Sequence, residues 1–235
     1  MKQEEKHRFE VAIVGGGAAG LMAAITAARA GAKVVILEHK EKTGKKILST
    51  GNGKCNYTNE QQGISNYRGE NPAFVVPVFE QFGFRETVAF FEEIGITPKV
   101  KNGYYYPASE QAAAVLEVLR LEANYLRVVE VCDCTITSVK RRKKDFLLET
   151  SSGSFAAVSV VFATGLLAAA KTGSDGTSFC HLGRFGHHFI EIVPALVPLI
   201  ANSHFLNSLQ EFVQKCELFY TLIRRKSWRN LENYK

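Results

Sequence analysis

No stretch of this chain reaches the ~20 consecutive apolar residues that a membrane-spanning helix requires. The longest apolar run, FAAVSVVFATGLLAAA from Phe155 to Ala170, is interrupted by Ser159, Thr164 and Gly165. It reads as a strand, a turn and a short helix, and no membrane partner is expected. A leader is not expected either. The opening MKQEEKHRFE is polar and mixed in charge, without the apolar core of a signal peptide. Cysteine is sparse and odd in number: Cys55, Cys132, Cys134, Cys180 and Cys216. Such a set does not make a disulfide framework. Cys132-Asp133-Cys134 is CxC, and no second pair completes a zinc site. Free thiols in a reducing cytoplasm are the expectation. Cys180, His181, His187 and His188 also lack metal-ligand spacing, so they read as surface or packing residues and no metal is expected. Internal repeats and low-complexity segments are absent.

The chain has 235 residues, 46% of them hydrophobic. That suffices for one large domain with a proper core, or for one domain and a stub of a second. Lys and Arg outnumber Asp and Glu by 29 to 23, a formal charge of +6. The excess favours anionic ligands such as phosphates. It forms no basic stripe interleaved with aromatics, so no nucleic-acid partner is expected. The densest charge run, KRRKKD, reads as a solvated hairpin tip.

Phe9–Val14 is a short β-rich run with little polar alternation, as suits a strand buried on both faces of a parallel sheet. The Ala-rich segment from Ala18 to Ala30 is a strong helix former, and Gly31 is a natural stop. Lys33–Glu38 reads as a second buried strand. Strand, helix and strand make a βαβ unit. Residues 45 to 70 read as loop. Asn71-Pro72 reads as a helix start that Pro77 breaks or kinks. Phe84–Gly95 is an amphipathic helix, and Gly103–Pro107 is a short strand. Ser109 is the expected cap of a helix from Glu110 to about Ala123. VVEVCDCTITSV, DFLLETSSG and SFAAVSVVFATG read as three successive strands. PALVPL reads as extended, and Ile200–Lys235 holds a helix candidate and a basic cluster.

The turn after the first strand is Gly15-x-Gly17-Ala18-Ala19-Gly20. GxGxxG alone is a weak signal. Between a buried strand and a helix it is much stronger. The first glycine permits the tight turn, and the second lets a pyrophosphate approach the backbone. The third lets the helix pack close to the sheet. Free N–H groups and roughly half a positive charge at the helix start favour the diphosphate. Glu38 ends the second strand, where an acid can accept hydrogen bonds from adenosine ribose hydroxyls. It would repel a 2′-phosphate, so the site suits FAD or NAD better than NADP.

The segment KKILSTGNGKCNYTN, residues 45 to 59, holds three lysines, two glycines, three asparagines and no acid. A phosphate-binding P-loop is excluded: Cys55 follows Gly53-Lys54 where Ser or Thr is needed, and position 48 is not glycine. VAIVGGGAAGLMAAITAARAGAKVVILE followed by GKKILSTGNGKCNYTN resembles the HI0933-like family of bacterial flavoproteins, the BaiN-like NAD(P)/FAD-dependent oxidoreductases. Gly44, Lys45, Lys46, Thr50, Gly51, Gly53, Lys54, Cys55, Asn56, Thr58 and Asn59 fill the family's loop pattern. FFEEIGI, NGYYYPASEQA, VVFATG, KTGSDG and PALVPL extend the resemblance over roughly residues 8 to 200.

The resemblance implies an α/β fold: a Rossmann-like FAD/NAD(P)-binding domain with a parallel sheet, helices and an antiparallel β-meander, incomplete at the C-terminus. The domain would span 1–199, with 200–235 a divergent tail at the start of an inserted substrate-side domain. It implies that Lys45, Lys46, Thr50, Gly51, Asn52, Gly53, Lys54, Cys55 and Asn56 line the path from pyrophosphate to flavin ring. Cys55 is read as packed or cofactor-contacting rather than catalytic. Ile136 would bracket the adenine by its main chain. Thr164 and Gly165, in ATG, would form a second glycine turn near the nucleotide, while Thr172, Gly173 and Asp175 are further contact candidates. Leu166 stands where the family has a second glycine. The tail after Phe212 does not resemble the family. The implied activity uses NAD(P)H to reduce bound FAD and then a small-molecule acceptor, with an activated C=C bond as one candidate. The alternative is a non-catalytic, truncated nucleotide-binding fragment. No general acid, catalytic residue or oligomeric state can be named from these residues.

Overall fold

The computed structural model describes residues 7–192. Val34, Val35, Ile36 and Leu37 are all buried, as a strand covered on both faces must be. They form β2 (Val34–Leu37), which lies parallel to β1 (Arg8–Val14) with Val11 opposite Val34 and Val14 opposite Leu37. Between them runs α1 (Ala18–Arg29), which buries Gly20, Leu21, Ala24 and Ile25 against the sheet. The chain continues through short turns to β3 (Thr58–Asn59), then α2 (Val76–Gln81) and α3 (Phe84–Glu93). A hairpin, β4 (Pro98–Lys101) and β5 (Tyr104–Pro107), precedes α4 (Ala112–Tyr125). Next come β6 (Val129–Val131), β7 (Ile136–Arg141), β8 (Phe146–Thr150) and β9 (Gly153–Phe162), and the last helix among the described residues is α5 (Phe179–Gly183).

The main sheet has the order β6-β2-β1-β9-β8-β7. Its first four strands are parallel neighbours, and β9, β8 and β7 form an antiparallel meander. This is the expected α/β, Rossmann-like architecture. A smaller sheet, β3-β5-β4, carries the tyrosine triplet. Two apolar clusters sandwich the main sheet. On one face Ile13, Leu21, Ile25 and Ile36 pack with Val115, Leu116 and Leu119 of α4. On the other, Phe9, Val35 and Leu37 pack with Val139, Leu148 and Phe155. Each such side chain, fully buried, contributes about 1.5–3 kcal/mol.

Three local expectations need correction. VVEVCDCTITSV is two strands rather than one. β6 pairs with β2 at one end of the sheet and β7 pairs with β8 at the other, so the chain must cross over between them. The crossing is pinned where the Asp133 and Cys134 amides donate to the carbonyls of Lys40 (3.0 Å) and Glu38 (2.9 Å). The helix expected from Glu110 begins at Ala112, since Glu110 has φ 51° and Gln111 is the cap. Ser109 instead accepts from the Gln111 amide at 3.3 Å. Pro77 sits in the first turn of α2, following a single 3-10 turn at Pro72–Val75, so it starts a helix rather than kinking one. PALVPL, the 199/200 boundary and the basic tail lie outside the described residues.

Candidate functional site

The glycine turn is held by backbone bonds from every side. Gly15 donates to Leu37 O (2.9 Å), Ala163 donates to Val14 O (2.8 Å), and Gly44 donates to Gly16 O (2.7 Å). Gly15 has φ 95°, and a β-carbon on it would sit 2.8 Å from the Ala163 carbonyl oxygen, so no other residue fits. A β-carbon on Gly20 would collide with the Gly15 carbonyl oxygen. Gly17 differs: nothing lies within 4 Å of its would-be β-carbon, which points into open space. Gly17 is also the N-cap of α1, and no side chain caps the helix or places an acid in its first turn. The orphan amides of that turn therefore face outward with the positive end of the helix dipole.

They open onto a cleft of about 680 Å³, within the roughly 300–1,000 Å³ usual for small-molecule sites. Of the site residues expected from sequence, Gly15, Gly17, Ala18, Ala19, Glu38, Lys45, Lys46, Thr50, Ile136, Thr164 and Gly165 line it, as do Thr172, Gly173 and Asp175. Leu166, in place of the second family glycine, lines it too and is exposed. Gly20 acts in packing, behind the turn. The second half of the loop does not reach the cleft lining. Lys54 pairs with Glu110 at 3.4 Å, and Glu110 with Lys99 at 2.5 Å. These ammonium groups, Lys99 first, hold the Glu110 carboxyl below its usual range. Cys55 is buried in the core beneath α4, and burial pushes its thiol up. The Asn56 amide, turned to suit its neighbours, donates to the carbonyls of Thr58 and Tyr105. Gly51, Asn52 and Gly53 are exposed, and Gly51, Asn52 and Gly53 all have positive φ.

Glu38 is buried, and both its oxygens are engaged. Oε2 accepts from the Gly16 amide at 2.6 Å and Oε1 from the Lys40 amide at 2.8 Å. A carboxylate oxygen has two lone pairs, so Oε2, with one donor on it, can take another from the cleft. Lys46 Nζ donates to Ser174 Oγ (2.9 Å) and Ala168 O (2.7 Å), which joins the loop to the segment after β9. His39 lies between acids, with Nδ1 3.3 Å from Glu38 and Nε2 3.9 Å from Asp175. Burial raises the Asp175 carboxyl, but the Thr177 donors and the neighbouring imidazole outweigh it and hold it below its ordinary value.

Sequence reasoning missed two groups. One is the support behind the turn: Arg120 donates to Thr43 Oγ1 at 3.2 Å and to Thr43 O, and Thr43 Oγ1 donates to Glu130 at 2.9 Å. Thr43 in turn packs against Gly16. No spacing rule links residues 43, 120 and 130. The other is the wall formed by Ser174, Ser178 and His181, all buried. Its signal was KTGSDG, where the glycines and short polar residues mark a turn able to approach a ligand.

The sequence matches the model of the HI0933-like protein Rossmann domain over residues 9–208. The chain belongs to that family. It is 43% identical over 196 residues to a 3-dehydro-bile acid delta(4,6)-reductase of Clostridium scindens, covering 83% of this chain and 48% of the relative. It is 26% identical over 203 residues to a ribosomal RNA dihydrouridine synthase of Escherichia coli, covering 86% of this chain and 51% of the relative. The chain thus spans about half the length of the curated relatives it matches. Among solved structures, a 3-ketosteroid-delta4-(5alpha)-dehydrogenase of Rhodococcus jostii aligns with a TM-score of 0.52 at 17% identity, covering 68% of this chain and 46% of that one. That likeness bears on the fold. Among the described residues, no helix is long and apolar enough to cross a membrane.

Proposed function

We propose that this family member binds FAD in the cleft between α1 and the 164–182 segment and serves as a flavin-dependent oxidoreductase. One observation carries the reading. An uncapped, acid-free helix N-terminus and the Glu38 carboxylate line the same cleft. The first suits a diphosphate, and the second suits ribose hydroxyls. The vacant space at Gly17 lets the phosphates approach the backbone. Lys46, fixed by Ser174 and Ala168, adds positive charge beside them. The main chain at Ile136 offers amide and carbonyl groups to the adenine edge.

Flavin, when bound, supplies the two-electron chemistry, and the protein supplies binding, orientation and electrostatics. NADH or NADPH is the proposed reductant and a small organic molecule the proposed acceptor, with an activated C=C bond the favoured group. The names of the two relatives, a delta(4,6)-reductase and a dihydrouridine synthase, both fit hydrogen addition across such a bond. Greater identity to the former favours a small molecule over RNA, as does the lack of a basic aromatic stripe in the sequence.

The test is the visible spectrum of purified protein under anaerobic conditions. A flavin band that NADH or NADPH bleaches is expected. A retained band that neither bleaches leaves the chain as a nucleotide-binding fragment, and no binding of FAD or ADP by folded protein rejects the reading altogether.

A further inference from the structure

Buried ring nitrogens are rarely left without a partner. Two on residues that line this cleft are: His39 Nε2 and His181 Nδ1. His39 already has a carboxylate on its other nitrogen. His181 is more enclosed, with only 7% of the residue exposed. It is the one buried imidazole among the described residues, and it lines the cleft.

Its position along the cleft follows from its neighbours in sequence. Gly173 abuts the His39 ring, where a β-carbon would lie 3.1 Å from Cε1. Ser174 accepts from Lys46, and Asp175 faces His39 Nε2. The segment leading to His181 is therefore fastened to the Glu38 end of the cleft. Beyond His181, Phe185 packs edge-on to Phe146 of β8 with ring centroids 5.9 Å apart, which lays α5 on the meander side. The start of β7, at Ile136, lines the cleft from that side. Glu38 and Ile136 both belong to the part of the cleft that suits adenosine.

We propose that His181 is a ligand-binding residue, its Nδ1 hydrogen-bonding the adenosine diphosphate half of the cofactor. This rests on the FAD-binding reading above and adds a contact to it. A neutral imidazole offers Nδ1 as donor or acceptor, and adenine and ribose present both kinds of group. A bound nucleotide supplies the partner that the protein withholds.

Calorimetry with ADP, FAD and FMN tests this on the wild type and on His181→Phe, His181→Asn and His181→Gln. The Phe variant keeps the bulk without the nitrogens. The Asn amide falls near Nδ1, and the Gln amide near Nε2. ADP and FAD affinity should fall about tenfold in His181→Phe, the loss of one hydrogen bond. They should recover to within about threefold in His181→Asn but not in His181→Gln. FMN, which lacks the adenosine, should bind all four proteins alike. Thermal melts without ligand separate packing from binding: a lowered melting temperature with unchanged ADP affinity overturns the proposal. If His181→Phe does not fold, equal ADP binding by the Asn and Gln variants overturns it. Wild-type protein that binds neither ADP nor FAD overturns the FAD reading itself. Wild-type binding that no variant alters overturns only the role of His181.

Discussion

The Gly16 amide donates a 2.6 Å hydrogen bond to the carboxylate of Glu38, 22 residues further along the chain. The Lys40 amide takes the other oxygen at 2.8 Å. One buried acid thus joins the glycine turn to the end of β2. Glu38→Ala leaves two amides without their acceptor, and each unmade bond in a buried setting costs about 1–3 kcal/mol. Urea denaturation should show a lower midpoint at unchanged slope. Glu38→Gln, which keeps an acceptor oxygen but not the charge, should lose less stability.

Gly17 and Gly20 should separate binding from folding. Gly17→Val places its side chain in open cleft space at an ordinary φ of −75°. It should melt near the wild type and lose ADP binding in calorimetry. Gly20→Val drives its side chain into the Gly15 carbonyl, so overpacking should cost about 1–3 kcal/mol or more. It should lower the melting temperature before any ligand is added. Equal melting of the two variants would contradict the geometry.

Alkaline pH should destabilise the protein through Tyr57. Burial foremost, then the nearby Glu92 charge, pushes its hydroxyl from 10.0 up to about 12. The unfolded chain therefore releases this proton first, and stability falls as pH rises through the window between those values. Below it the contribution is fully present. The hydroxyl is buried without a partner, so Tyr57→Phe should not destabilise at neutral pH and should flatten the alkaline fall. Urea midpoints from pH 9 to 12 provide the check.

Cysteine alkylation should be ordered by environment. Burial disfavours the Cys55 thiolate, so the neutral thiol predominates at pH 7 and reacts slowly. Cys180 is exposed. Iodoacetamide followed by peptide mass mapping should find Cys180 modified well before Cys55. Rapid labelling of Cys55 in folded protein would place it outside the core.

The parallel half of the sheet was legible because its signals are local. Phe9–Val14 and Val34–Leu37 are apolar throughout, and the glycines stand where a tight turn needs them. The single run read into VVEVCDCTITSV failed for a physical reason. Hydrophobicity marks both β6 and β7, but only pairing decides that they lie at opposite ends of the sheet. The loop from 45 to 59 divides in a way that its composition does not show. Its composition suits a ligand along its whole length, yet Cys55 is drawn into the core beneath α4 while Lys54 turns to Glu110.

By itself, the order of residues determined the βαβ unit, the site of its glycine turn and the acid that follows, because backbone sterics and burial act over a few positions. The tertiary structure alone decided which groups meet. Arg120 reaches Thr43 behind the turn, Lys46 reaches Ser174 across the cleft, and His181 is carried into its wall. These pairs are more than seventy residues apart or lie on separate elements, and no periodicity encodes them. They exist because the sheet brings its strand ends to one edge, where side chains from distant segments compete for the same few donors and acceptors.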